Sequence, residues 1–180
     1  LATFMASGNG TTVKSESENL QNDETTMISS SSSADNILNG EFAIPVIIIA
    51  AVAITVTIAL NENGSTISGS ADPLFKVTDG TLEFTGSGTI LAENDAIRLH
   101  GNEAKGGDAK TARVVIGKEV AVMSEKANCI YLRGNGAVAD VYGYLESSST
   151  EYAAIQGNGT VNDSVDYGHT VLNIYSTASV

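Results

Sequence analysis

Tryptophan is missing from this 180-residue chain, cysteine occurs once, proline twice, and nine Lys and Arg stand against 21 Asp and Glu. Each scarcity excludes something. A lone Cys129 cannot close an intrachain disulfide, and two histidines are too few for a Cys/His cluster at zinc spacing. Packing alone must therefore hold the fold, and no metal or cofactor site is expected. With a net charge of −12 and scattered cations, the molecule would repel a phosphate backbone, which argues against nucleic acid as a partner. The chain opens on Leu1 without an initiator Met and without the basic stretch and small-residue cleavage site of a signal peptide. It reads as starting after processing or within a longer sequence.

What is present is 42% hydrophobic residues and 18 glycines, the makeup of a folded, turn-rich chain. The length suits one domain with a real core, or a small domain plus an ordered arm. Residues 1–41 differ in kind: they are rich in Ser, Asn, Thr and Glu, and carry Lys14 against Glu16, Glu18, Asp23, Glu24, Asp35 and Glu41. Such a segment cannot bury enough apolar surface to fold alone, so it is expected as an extended acidic arm held by its own domain or, preferentially, by neighbouring chains. Its candidate anchors are its few apolar residues. Leu1, Phe4 and Met5 lie at the start, Leu20, Met27 and Ile28 midway, and Ile37 and Leu38 at the end.

The run "FAIPVIIIAAVAITVTIAL", residues 42–60, has no charge and is long enough to cross a bilayer as a helix. Against that stand Pro45, acidic rather than basic flanks, and a crowd of β-branched residues. From Val52 the pattern alternates, with Val52, Ile54, Val56, Ile58 and Leu60 on one face and Ala53, Thr55, Thr57 and Ala59 on the other. That predicts a strand, and no membrane span.

Downstream, short apolar alternations are separated by turn signals such as "VTDGT", "TGSGT", "RGNGA" and "QGNGT". Three phrases echo one another: "AIRLHGNE" at 96–103, "CIYLRGNG" at 129–136 and "AAIQGNGT" at 153–160. Aligned on their Gly-Asn pairs (Gly101-Asn102, Gly134-Asn135, Gly157-Asn158), and with "LFKVTDGT" one step earlier, they recur at steps of 22, 33 and 23 residues. Phe75 and Val77, Ile97 and Leu99, Ile130 and Leu132, and Ala153 and Ile155 then form an inward ladder. Each step has room for two more strands: "TLEFT" and "GTIL", "ARVVIG" and "EVAVMS", "AVADVYG" and "YLESSS". Three short strands per turn of about 22 residues is the rhythm of a parallel β-helix, and "NEAKGGDAKTA" in the longer step reads as a loop bulging from one corner.

The stretch "NGSTISGSADPLFKVTDGTLEFTGSGTI" resembles the right-handed parallel β-helix repeats of bacteriophage structural proteins, notably the head fibres and tail spikes of tailed phages. It also resembles bacterial surface proteins with a pectin-lyase-like fold. The likeness covers about residues 43–180 and rests on coil rhythm, not on an invariant motif. It implies an all-β chain: a right-handed parallel β-helix (solenoid) of about five coils at 42–180, with the arm at 1–41 as an anchor. For head fibres it further implies attachment through the arm to a capsid or other structural protein, a homo-oligomer with a trimer favoured, and a place on the virion surface. The alternative is an adhesin or glycan-binding module, on the bacterial cell surface or secreted. The chain departs from the family in having far fewer coils than a tail spike and no N-terminal Met.

Enzymes with that fold set acids and bases along one outward ladder. Here the outward column reads Lys76, Arg98, Tyr131 and Ala154, with Thr78, His100, Arg133 and Gln156 beside it. No carboxylate pair stands in it for acid/base work on a glycosidic bond, and Asp72, Asp79 and Asp95 fall at turns, so no enzyme is expected. Lys76, Arg98, His100, Tyr131 and Arg133 are the candidate contact stripe for a surface glycan, an acidic sugar, or a partner's carboxylates; the alternative is a solvated wall of stacked long side chains. "NDSVDYGH", with Asn162, Asp163, Asp166 and His169, lacks calcium-loop spacing and reads as turn chemistry. The Gly-x-Gly triplets open no helix and are not phosphate cradles. Asn9, Asn63, Asn158 and Asn162 fit the N-glycosylation pattern, which matters only in a eukaryotic secretory route. Finally, "TVLNIYSTASV" is strand-like to its end, so further chain or another subunit is expected to cover it.

Overall fold

A computed structural model of the chain describes residues 54–180 continuously and, before them, only four short strands: β1 (Thr3–Phe4), β2 (Thr12–Ser17), β3 (Glu41–Phe42) and β4 (Val46–Ile48). Side chains are described for residues 55–60 and 65–180. The strands that follow are β5 (Ile54–Gly69), β6 (Phe75–Val77), β7 (Gly80–Ala92), β8 (Ile97–His100) and β9 (Ala112–Ile116). After them come β10 (Glu119–Ser124), β11 (Ile130–Arg133), β12 (Ala137–Val141), β13 (Tyr144–Ser147), β14 (Ile155–Gly157) and β15 (Val171–Ile174). Among the described residues the chain is all-β, with no helix, and parallel strands form a curled sheet.

The pairing makes three parallel ladders. The first runs β4, β6, β8, β11, β14. The second joins the leading part of β5 and of β7 to β9, β12 and β15. The third joins the trailing parts of β5 and β7 to β10 and β13. Because β5 and β7 each run through both of the last two ladders, those ladders belong to one sheet, and the register shift between Leu60 and Ser65 marks where β5 passes from one to the other. The strand pairs expected after each echo, on either side of "TGSG", "GK" and "YG", are the ones that fill these two ladders.

Alternation decides what lies inside. Successive side chains of a strand point to opposite faces, and rungs about 4.8 Å apart set each inward side chain on its equivalent in the next rung. Phe75, Ile97 and Ile130 make one buried column, and Val77, Leu99 and Leu132 another. Across the core stand Val56, Leu82, Val114 and Ala139, then Ile58, Phe84, Ile116 and Val141, then Ile67, Ile90, Val122 and Leu145. The Phe75 and Phe84 rings meet edge to face at 5.1 Å and tie the first ladder to the second. Cys129 is fully buried, and burial pushes its thiol up to about 11, so it serves as a small apolar residue rather than a reactive one.

The 42–60 stretch is strand where described, with Val56, Ile58 and Leu60 buried and Thr55, Thr57 and Ala59 half-buried, as the alternation predicts. Among the described residues no helix is long and apolar enough to cross a membrane. From the arm, β2 lies antiparallel along β5 and β1 antiparallel along β2, so part of the arm pairs with its own chain. Of the candidate anchors, Phe4 is in β1; Leu1, Met5, Leu20, Met27, Ile28, Ile37 and Leu38 lie outside the described residues. At the far side, β15 continues two inward columns with Leu172 and Ile174, which are 42% and 53% exposed.

Two of the three Gly-Asn echoes are a corner. Asn102 and Asn135 bridge each other, and each Nδ2 donates to a carbonyl of the loop after β8, that of Asp108 and of Gly107 respectively. Gly134 turns there with φ +80, and a Cβ on it would stand 2.8 Å from the Asn102 carbonyl oxygen. The third echo is shifted. Ile155, not Ala153, lies opposite Ile130, so the step is 25 residues and Gly157 falls opposite Leu132, inside a strand. The register there is set by the Ala154 carbonyl, which accepts from the amides of both Cys129 and Ile130, while Asn158 bonds the Tyr131 hydroxyl instead of a corner. Gly134→Ala should therefore cost about 2–4 kcal/mol in chemical denaturation, whereas Gly157→Ala, whose Cβ meets only Thr170 Oγ1 at 3.7 Å, should change stability by less than about 1 kcal/mol. Equal costs at the two positions would contradict this register.

Candidate functional site

The outer wall of the first ladder carries the stripe. Lys76, Arg98 and Tyr131 stand in register one above the next, and the fourth place belongs to Gln156 rather than Ala154, because of the two-residue shift just described. In the neighbouring outward column His100 pairs with Arg133. The structure thus brings all five candidate residues onto one face.

Their charges are largely spoken for. Arg98 donates from Nε and Nη2 to Asp95 Oδ2, at 3.1 and 2.5 Å, and from Nη2 to Asp72 Oδ1 at 2.8 Å. Arg133 Nη2 donates to Glu103 Oε2 at 3.0 Å, and its guanidinium lies over the Tyr167 ring, 4.4 Å from the centroid. Tyr131 is flanked by both arginines, 5.7 and 6.0 Å from its centroid, and its hydroxyl accepts from Asn158 Nδ2 at 2.8 Å. Lys76 alone of the five shows no carboxylate or ring partner among the described residues. The stripe is therefore less a bare cationic strip than a braced wall.

The acids that brace it come from corners. Asp95 is 4% exposed, and besides Arg98 it accepts at Oδ1 from the backbone amide and Nδ2 of Asn128, at 3.0 and 2.8 Å. A buried carboxylate is tolerable only when so fully partnered. Asp140 repeats the device on the second ladder, taking Arg113 Nε at 2.7 Å, Asn173 Nδ2 at 2.8 Å and the Tyr175 hydroxyl at 3.2 Å. Beside Arg98 the wall dips into an open depression of about 310 Å³, lined among others by Asn94, Lys126, Asn128, Tyr131, Tyr152 and Gln156. Sequence reasoning missed Asp95, Asn128, Tyr152 and Gln156 as site residues. The signal for the first two was present: each stands two residues before the first inward apolar of its echo, in "DAIRL" and "NCIYL".

The "NDSVDYGH" segment is turn chemistry. Asn162 Oδ1 accepts from the amides of Ser164 and Val165, Asp166 Oδ1 accepts from the amide of Gly168, and His169 holds φ +58. No group of three potential metal ligands occurs among the described residues.

His100 is the perturbed group of the wall. Burial first, and then the positive charges of Lys76, Arg133, Arg98 and Lys110, hold its imidazole down to about 4 from 6.5. Glu103 Oε1, 3.1 Å from Nδ1, favours the imidazolium, but that carboxylate is shared with Arg133, and burial with four cations outweighs it. Above pH 6.5 the imidazole is neutral whether the chain is folded or not, and the fold keeps its full stability. As pH falls from 6.5 towards 4 the unfolded chain gains a proton that the folded one refuses, and stability drops by up to about 3 kcal/mol. Urea midpoints at pH 7 and pH 4.5 should show a larger acid loss in the native chain than in His100→Gln; parallel losses would remove His100 as the cause. In the same assay Arg98→Ala, which strips a buried carboxylate of its cation, should cost about 2–4 kcal/mol, and Lys76→Ala less than about 1 kcal/mol. Compared with family models, with curated proteins and with solved structures, the chain matches none.

Proposed function

We propose that this chain is a right-handed parallel β-helix of about five coils that serves as a structural element of a virion, a phage head fibre or capsid decoration protein. In this reading it performs no catalysis, is anchored by its N-terminal arm, and assembles as a homo-oligomer, a trimer being favoured. One observation carries the proposal: like residues stack in register through three parallel ladders, the arrangement that a stiff rod lengthening by one rung per coil would need. The handedness follows from the preference of parallel crossovers. Two features support it. The outward charges of the wall are occupied in bracing it, which suits a load-bearing surface more than acid/base chemistry. The apolar columns run on to exposed Leu172 and Ile174, a surface that further protein, from another subunit or from the same chain, would cover.

An antiserum against the purified chain tests the place of action. It should decorate the outside of intact virions in negative-stain microscopy, and label confined to bacterial envelopes would move the reading to a surface adhesin. For assembly, sedimentation velocity should give a trimer. Met27→Asp with Ile28→Asp removes two apolar anchors while leaving β2 in place, and should abolish incorporation into the particle without altering the thermal midpoint. Full incorporation of the double variant would overturn the anchoring role. The second reading, a glycan-binding module, is favoured by the depression beside Arg98, with its tyrosines and amides.

A further inference from the structure

Two Asn-Gly steps, Asn135-Gly136 and Asn158-Gly159, lie among the residues whose side chains are described, and the fold treats them oppositely. Such a step is able to close on itself, because no Cβ on the glycine hinders its nitrogen from approaching the asparagine carboxamide carbon. At Asn135 packing prevents this. Its backbone exchanges two bonds with Asn102, both 2.8 Å, its carbonyl also accepts from Lys110, and its Nδ2 donates to the Gly107 carbonyl. The Ala137 amide, which would draw the carboxamide forward, goes to the Gly134 carbonyl instead. A Cβ on Gly136 would collide with the Lys110 backbone, so the pair has no room to move.

Asn158 is arranged for the closure. Its Oδ1 accepts from the Thr160 amide at 3.0 Å, a forward bond that lays the side chain along the Gly159 peptide. The same N–H withdraws electron density from the carboxamide carbon and faces the oxygen on which negative charge would develop. Nδ2, the nitrogen that must leave, donates to the Tyr131 hydroxyl at 2.8 Å. The Gly159 amide makes no hydrogen bond, and a Cβ at Gly159 would meet nothing within 4 Å, so the attacking nitrogen is unhindered.

We infer that Asn158-Gly159 is a self-modification site, at which the chain converts a neutral amide of the wall into a carboxylate. The Gly159 nitrogen bonds to Asn158 Cγ as the Cγ–Nδ2 bond breaks. Tyr131 gives its hydroxyl proton to the departing nitrogen, which leaves as ammonia, and regains the proton that the Gly159 nitrogen gives up. Water then opens the five-membered imide at one carbonyl or the other, to aspartate or isoaspartate, and nothing is oxidised or reduced. The new anion stands beside Tyr131, whose ring centroid is 5.7 Å from the Arg98 guanidinium and 6.0 Å from that of Arg133. The wall thus gains negative charge with age at a point flanked by its arginines, with water as the one co-reactant.

Peptide mapping by mass spectrometry, on the full chain incubated at neutral pH in heavy-oxygen water, tests this. Label should enter at Asn158 about tenfold or more faster than at Asn135, and faster than at Asn158 of the chain unfolded in guanidinium chloride. Tyr131→Phe, which keeps the ring and loses the proton, should slow the conversion about threefold or more. Gly159→Ala, whose Cβ has open space, should leave the thermal midpoint unchanged and slow it about tenfold or more. Equal rates at Asn135 and Asn158, or an Asn158 no faster folded than unfolded, would overturn the inference. A rate indifferent to Tyr131→Phe at an unchanged thermal midpoint would remove the hydroxyl as the proton donor.

Discussion

Parallel stacking is the constraint from which the rest of this structure follows. When each strand lies directly along its equivalent in the next rung, every inward residue must accept its neighbours above and below as packing partners. That is why branched aliphatics repeat along the columns and why the single cysteine can stand among them as one more small apolar group. These columns, the backbone ladders between them and the ion pairs of Asp95 and Asp140 hold the described strands together.

The same stacking acts on the outside. Like charges set about 4.8 Å apart would repel, so an outward column that places Lys76, Arg98 and, diagonally, Arg133 on one wall must bring in counter-charges from elsewhere. It does so from the corners, where Asp72, Asp95 and Glu103 reach back to the arginines. The depressed imidazole of His100 belongs to the same account: burial first, and then the field of these cations, keeps it neutral.

Much of this was legible in the sequence, and the parts that were not share a cause. Inward apolar positions repeat, so Phe75, Ile97 and Ile130 could be aligned by eye, and the two strands following each echo were countable from their turns. The last echo misled because Gly157-Asn158 has the letters of the corner without its partners; hydrogen bonding by the Ala154 carbonyl, invisible in the letters, decided the register instead. The stripe was identified as a face, but whether its cations were free depended on acids far apart in the chain. Glu103 is thirty residues from Arg133, and only folding brings them together. Asp95 and Asn128 sit at one repeat position, yet their mutual bond depends on a stacking geometry that composition does not express.

Between β8 and β9 the chain leaves the ladder, wanders through residues 101–111, and returns with Ala112 in line with Gly80 and Ala137. The rungs on either side do not register the excursion. Asn102 and Glu103 hold that corner and brace Arg133, so length is uncoupled from the architecture only at the exposed turn about Lys105 and Gly106, which an evolving or engineered chain can lengthen or decorate while the columns keep their order. That turn is a natural grafting position for peptides to be displayed along the ladders.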